Sequence, residues 1–103
     1  MQDFIQDRRE EIASLSRQHH VRSLAIFGSS VRGDFNPARS DIDLLVEFEP
    51  LSPAAYAPNY FALLEALEQL FSRRVDLVTA SSIQNPYFRD VVEKEQQTLY
   101  AAA

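Results

Sequence analysis

Residues 41 to 48 read Asp-Ile-Asp-Leu-Leu-Val-Glu-Phe, an alternation that a β-strand satisfies. Side chains on a strand repeat every two residues. Ile42, Leu44, Val46 and Phe48 therefore share one face, and Asp41, Asp43, Leu45 and Glu47 share the other. The apolar face has to be covered by another layer. The opposite face keeps two carboxylates side by side at the strand's beginning. Pro50 and Pro53 close the strand.

The neighbouring segments supply the layers. Residues 3–19 carry Phe4, Ile5, Ile12 and Leu15 on a helical period. Ser23 to Phe27 is a short apolar run that stops at Gly28, as a buried strand does. A helix is predicted from Tyr56 or Asn59 to Phe71, with Tyr60, Phe61, Leu64, Leu67 and Phe71 as its apolar stripe. Arg74 to Val78 is a third strand, with Asp76 facing away from Val75 and Leu77. Asn85-Pro86 reads as an N-cap followed by proline in the first turn, and Phe88, Val91, Val92 and Leu99 continue as a last amphipathic helix. Ala101 to Ala103 reads as a frayed end. The order helix, strand, strand, helix, strand, helix predicts an α/β (α+β) fold, a small mixed sheet flanked by helices. With 103 residues, positions 1–103 are expected to form one domain.

Composition excludes several functions. There is no cysteine, so disulfides and thiolate zinc sites are out. No apolar run approaches the roughly 18 residues of a membrane span, and the N-terminus lacks a signal-type stretch. These features predict a cytoplasmic protein without membrane contact. A formal net charge of −5 argues against direct nucleic-acid binding.

Two aspartates two apart on a strand have Cα atoms roughly 6.5–7 Å apart and point the same way. Their carboxylates can converge on one or two hard divalent cations, which also removes their mutual repulsion. Alone, the pair fits a solvated strand end better. Gly28-Ser29, at a strand end and before a possible helix, can present backbone N–H groups and a hydroxyl to phosphate oxygens. An ordinary turn with a serine cap is the alternative. Arg32 adds positive charge there, or pairs with Asp34. Asp76 interrupts an apolar strand, and burying an unpaired charge is costly. If its strand lies beside residues 41–48, it reaches the same site as a cation ligand or proton acceptor; otherwise it pairs with Arg73 or Arg74. His19-His20 reads as a solvated helix end, Tyr56, Tyr60 and Phe61 as helix core, and Glu93-Lys94-Glu95 as a wet helix face.

Gly28-Ser29-Ser30-Val31-Arg32-Gly33-Asp34-Phe35 followed by Ser40-Asp41-Ile42-Asp43-Leu44-Leu45-Val46 resembles the signature of the DNA polymerase beta-type nucleotidyltransferases, and in particular their minimal (MNT) branch. The spacer, residues 30–40, is one residue longer than usual in that family. The resemblance implies a polymerase-beta-like core, triphosphate binding by Gly28, Ser29 and Arg32, and two Mg2+ ions on Asp41 and Asp43. It places Asp76 at the third acidic position. It further implies an ATP-using antitoxin that transfers AMP to a tyrosine of a HEPN-type ribonuclease toxin in a hetero-oligomer. Two alternatives remain open. One is a non-catalytic antitoxin acting by binding alone; the other is a subunit of a small-molecule transferase resembling the aminoglycoside enzymes.

Overall fold

A computed structural model describes residues 3–28 and 41–102. Four strands form one mixed sheet in the order β3-β2-β1-β4: β1 is Val21–Phe27, β2 Ile42–Phe48, β3 Val75–Thr79 and β4 Gln97–Ala101. β1 pairs antiparallel with β2 and β4, whereas β2 and β3 run parallel. The helices are α1 (Asp3–Gln6), α2 (Arg9–Gln18), α3 (Pro53–Phe71) and α4 (Pro86–Glu95), with a 3-10 turn at Ala80–Ser82.

The alternation of residues 42–48 sets the layering. Ile42, Leu44 and Val46 are fully buried, together with Leu24 and Ile26 from the neighbouring β1 and with Ile5, Ile12, Leu63 and Leu67 from the helices. Each such side chain contributes about 1.5–3 kcal/mol by leaving water. The other sheet face carries Asp43 and Leu45 half-buried beneath α4, where Phe88 meets Phe27 edge-on at 6.1 Å between ring centroids.

Several elements depart from the sequence reading. The first helix is two pieces: Arg8, at φ −112° and ψ 17°, leaves helical geometry, and its N–H bonds the Ile5 carbonyl three residues back. Helix α3 starts at Pro53, because Ser52 caps it by accepting from the Ala55 N–H and proline suits the first turn. Its buried stripe is Leu63, Leu67 and Phe71, while Phe61 is 62% exposed. At 100° per residue, Phe61 points about 200° away from Leu63.

The largest correction is at the C-terminal end. The last helix stops at Glu95, and Leu99 belongs to strand β4, buried in the main core. Phe88 and Val91 are exposed, and Val92 is the buried residue of α4. Ala101 pairs with Ser23, and the Ala102 N–H bonds the Arg22 carbonyl, so the tail through residue 102 is part of the sheet. An α4 continued to Leu99 would leave that edge of β1 unpaired, and backbone pairing decides in favour of the strand.

The start of α4 matches expectation. The Asn85 carboxamide oxygen accepts from the N–H groups of Tyr87 (2.9 Å) and Phe88 (3.3 Å). Asn85→Ala is expected to destabilise the protein by about 1 kcal/mol. Urea unfolding should show a lower midpoint with an unchanged slope; an unchanged midpoint would show the cap to be idle.

Candidate active site

Three strands deliver the site. The β1–β2 register sets Phe27 opposite Asp43, and the β2–β3 register sets Asp43 opposite Asp76. Adjacent strands lie about 4.8 Å apart, so paired residues put their side chains side by side on one face. Two hydrogen bonds anchor this corner: Ile42 N–H to the Arg74 carbonyl (3.1 Å) and Val75 N–H to Glu68 Oε2 (3.1 Å). Asp41 is exposed and immediately precedes β2, on the same side as Asp43 by alternation. Asp76 is exposed, so the cost of burying its charge does not arise.

Gly28 closes β1 with φ +75°, in the left-handed region. A Cβ on this residue would lie 2.2 Å from Asp43 Oδ2 and 3.0 Å from its Cγ. The glycine is thus needed twice, for its backbone angle and for the room it leaves a carboxylate. Ser29 and Arg32, the other predicted phosphate contacts, lie outside the described residues, as do Gly33 and the rest of 29–40.

A cleft of about 470 Å3 opens at this corner, lined by Gly28, Asp43, Asp76 and Glu95 on its polar side and by Phe27, Tyr87, Phe88 and Val91 on its apolar side. Glu95 was expected on a wet helix face. It is instead half-buried, and its Oε1 accepts from the Gly28 N–H at 2.9 Å. No local pattern distinguishes it from Glu93, since the difference is the proximity of the β1 end. A second cleft of about 470 Å3 has Leu45, Phe48, Ile83 and Arg89 among its lining residues, and none of the three predicted aspartates lines it.

The remaining candidates fall elsewhere. The imidazole Nδ1 of His19 lies 2.8 Å from the Leu15 carbonyl at the exit of α2. Tyr56 and Phe61 are exposed rather than core. Tyr60 donates its hydroxyl to the Leu77 carbonyl; burial first, then Asp76 and Tyr56, raise its pKa above the usual phenol value and keep it a neutral donor.

The arrangement can gather hard oxygen ligands around a phosphate-bearing substrate. Among the described residues no helix is long and apolar enough to cross a membrane. Residues 8–99 match the nucleotidyltransferase domain family. The protein adenylyltransferase MntA of Thermococcus cleftensis is 36% identical over 93 residues, covering 82% of this chain and 90% of that protein. A solved candidate minimal nucleotidyltransferase superposes with a TM-score of 0.73 at 35% identity over 90% of each chain. A chain from the complex of a tri-AMPylated Shewanella oneidensis HEPN toxin with an MNT antitoxin shares the fold, with a TM-score of 0.63 and 22% identity over 95% of this chain and 73% of that one. With its Gly28–Asp43–Asp76 corner on that fold, the chain belongs to the minimal branch of the nucleotidyltransferase domain family and is a nucleotidyltransferase.

Proposed function

We propose that the protein is an antitoxin that transfers AMP from ATP to a hydroxyl of a HEPN-type ribonuclease, a tyrosine by preference, with two Mg2+ ions at Asp41, Asp43 and Asp76. The observation that carries the reading is the Asp43–Asp76 register pair, with Asp43 set against the Cβ-free Gly28. The MntA relative supplies the protein acceptor and the S. oneidensis complex the class of partner.

The donor set fits magnesium. Every candidate ligand is a carboxylate oxygen, the hard donor this ion takes. Magnesium is commonly held by one or two carboxylates and completed by substrate phosphates. Bound there, magnesium supplies charge neutralisation for the triphosphate and lowers the pKa of the acceptor hydroxyl.

The chain's own residues then have distinct tasks. Gly28 lets the backbone approach the phosphates, for which Ser29 and Arg32 are the sequence's further candidates. Asp41 and Asp43 would hold the cation that accompanies the triphosphate. Asp76, across the ladder from Asp43, receives the acceptor's proton. The acceptor oxygen bonds to the α-phosphorus, the α–β anhydride bond breaks, and pyrophosphate leaves. A docked protein supplies the hydroxyl and excludes water together. The acidic chain, at net charge −5, suits a partner with basic patches and disfavours nucleic acid.

The test is to co-express the chain with a HEPN-type ribonuclease and incubate the complex with ATP and Mg2+. Intact-mass spectrometry should show the partner gaining one AMP per event, with loss of its ribonuclease activity. Inhibition without any mass gain would favour antitoxin action by binding alone. No complex at all would favour a small-molecule acceptor.

A further inference from the structure

We propose that Glu95 is a positioning residue for the transfer site: its carboxylate anchors the end of β1 at Gly28 and through that glycine sets the place of the Asp43 carboxylate. The idea rests on the nucleotidyltransferase reading of Asp43. It starts from the place of Glu95 in the fold. Glu95 is the last residue of α4. It lines the same cleft as Asp43 and Asp76.

The β-ladder explains this placement. The last β1–β4 pair is Ile26 with Gln97, so β4 gives no backbone partner to Gly28. The Glu95 side chain, two residues before β4 begins, takes over there and accepts the Gly28 N–H at 2.9 Å. A hydrogen bond to an ionised acceptor is among the stronger ones, and this one is partly shielded from water. It joins residues 67 apart in the chain, tying the end of α4 to the end of β1. On its other side the same glycine is in contact with Asp43, at the distance that leaves no room for a Cβ. A shift of Gly28 therefore changes the wall against which Asp43 rests. Glu95 acts on the aspartate through one backbone unit, without having to touch substrate.

Glu95→Ala and Glu95→Gln separate this from a direct contact. The glutamine keeps an acceptor oxygen and drops the charge. Three readings are taken on the full chain: amide hydrogen exchange at Gly28, the 13C shift of the Asp43 carboxyl, and Mn2+ affinity with ATP present. AMP transfer by the complex with the HEPN-type partner is the fourth. Glu95→Ala should lose protection at Gly28, move the Asp43 resonance and weaken Mn2+ by about tenfold or more, as loss of a supporting partner does. Glu95→Gln should restore most of each, with both variants melting near the parent. Wild-type Gly28 protection and Asp43 shift in Glu95→Ala would overturn the proposal. So would a Glu95→Gln as impaired as Glu95→Ala, which would make the charge itself a ligand. An inactive parent chain would defeat the transferase reading alone, because the exchange and shift measurements still decide the role of Glu95.

Discussion

Asp43→Asn is expected to cut AMP transfer by about 10³-fold while leaving the protein folded and its partner bound. The substitution preserves shape and removes one charge from the β2–β3 pair. Metal-borne stabilisation of the transition state amounts to several kcal/mol, and ~4 kcal/mol corresponds to roughly 10³-fold in rate. Stability should depend on the cation. Asp43 and Asp76 are register partners, and a bound cation offsets the repulsion between their carboxylates. The variant should melt near the parent temperature in the absence of magnesium. Adding magnesium and nucleotide should raise the melting point of the parent and leave the variant nearly unmoved. Labelled-AMP transfer and thermal melting check both halves. Turnover within tenfold of the parent would remove Asp43 from the chemistry.

Gly28→Ala should damage both fold and activity. The residue has φ +75°, and a left-handed backbone costs a residue with a Cβ about 1–2 kcal/mol. The new methyl would also lie 2.2 Å from Asp43 Oδ2 and 3.0 Å from Cγ, so the carboxylate has to move. Displacing a reacting group by about 1 Å can cost roughly 10²-fold in rate. The expected result is a loss of about 1–3 kcal/mol in stability and a fall of about 10²-fold in transfer. Unlike Asp43→Asn, this variant should melt lower with or without magnesium. Denaturant unfolding and the transfer assay together check it; a Gly28→Ala protein with parental midpoint and turnover would show that the close approach is unimportant.

Much of this site was legible in the chain because its signals are local. A period of two over residues 42–48 assigns Ile42, Leu44 and Val46 to the core and Asp43 to the opposite face, and the same rule separates Asp76 from Val75 and Leu77. Asn85-Pro86 carries its own capping chemistry. Phe61 shows the limit of such reasoning: apolar character placed it in the stripe of α3, but only the angle at which α3 meets the sheet selects Leu63 over it.

By itself, then, the sequence determined the three strands, the faces they present and the acidic residues on them, since side-chain alternation and turn chemistry need no knowledge of distant residues. Only the tertiary structure decided that β3 lies beside β2 in the register that pairs Asp76 with Asp43. It also moved Leu99 from the last helix into strand β4 and carried Glu95 to the Gly28 N–H. Each of these depends on a backbone group that must find a partner far along the chain. A hydrogen bond between residues 67 apart leaves no periodicity in either segment from which it could be read.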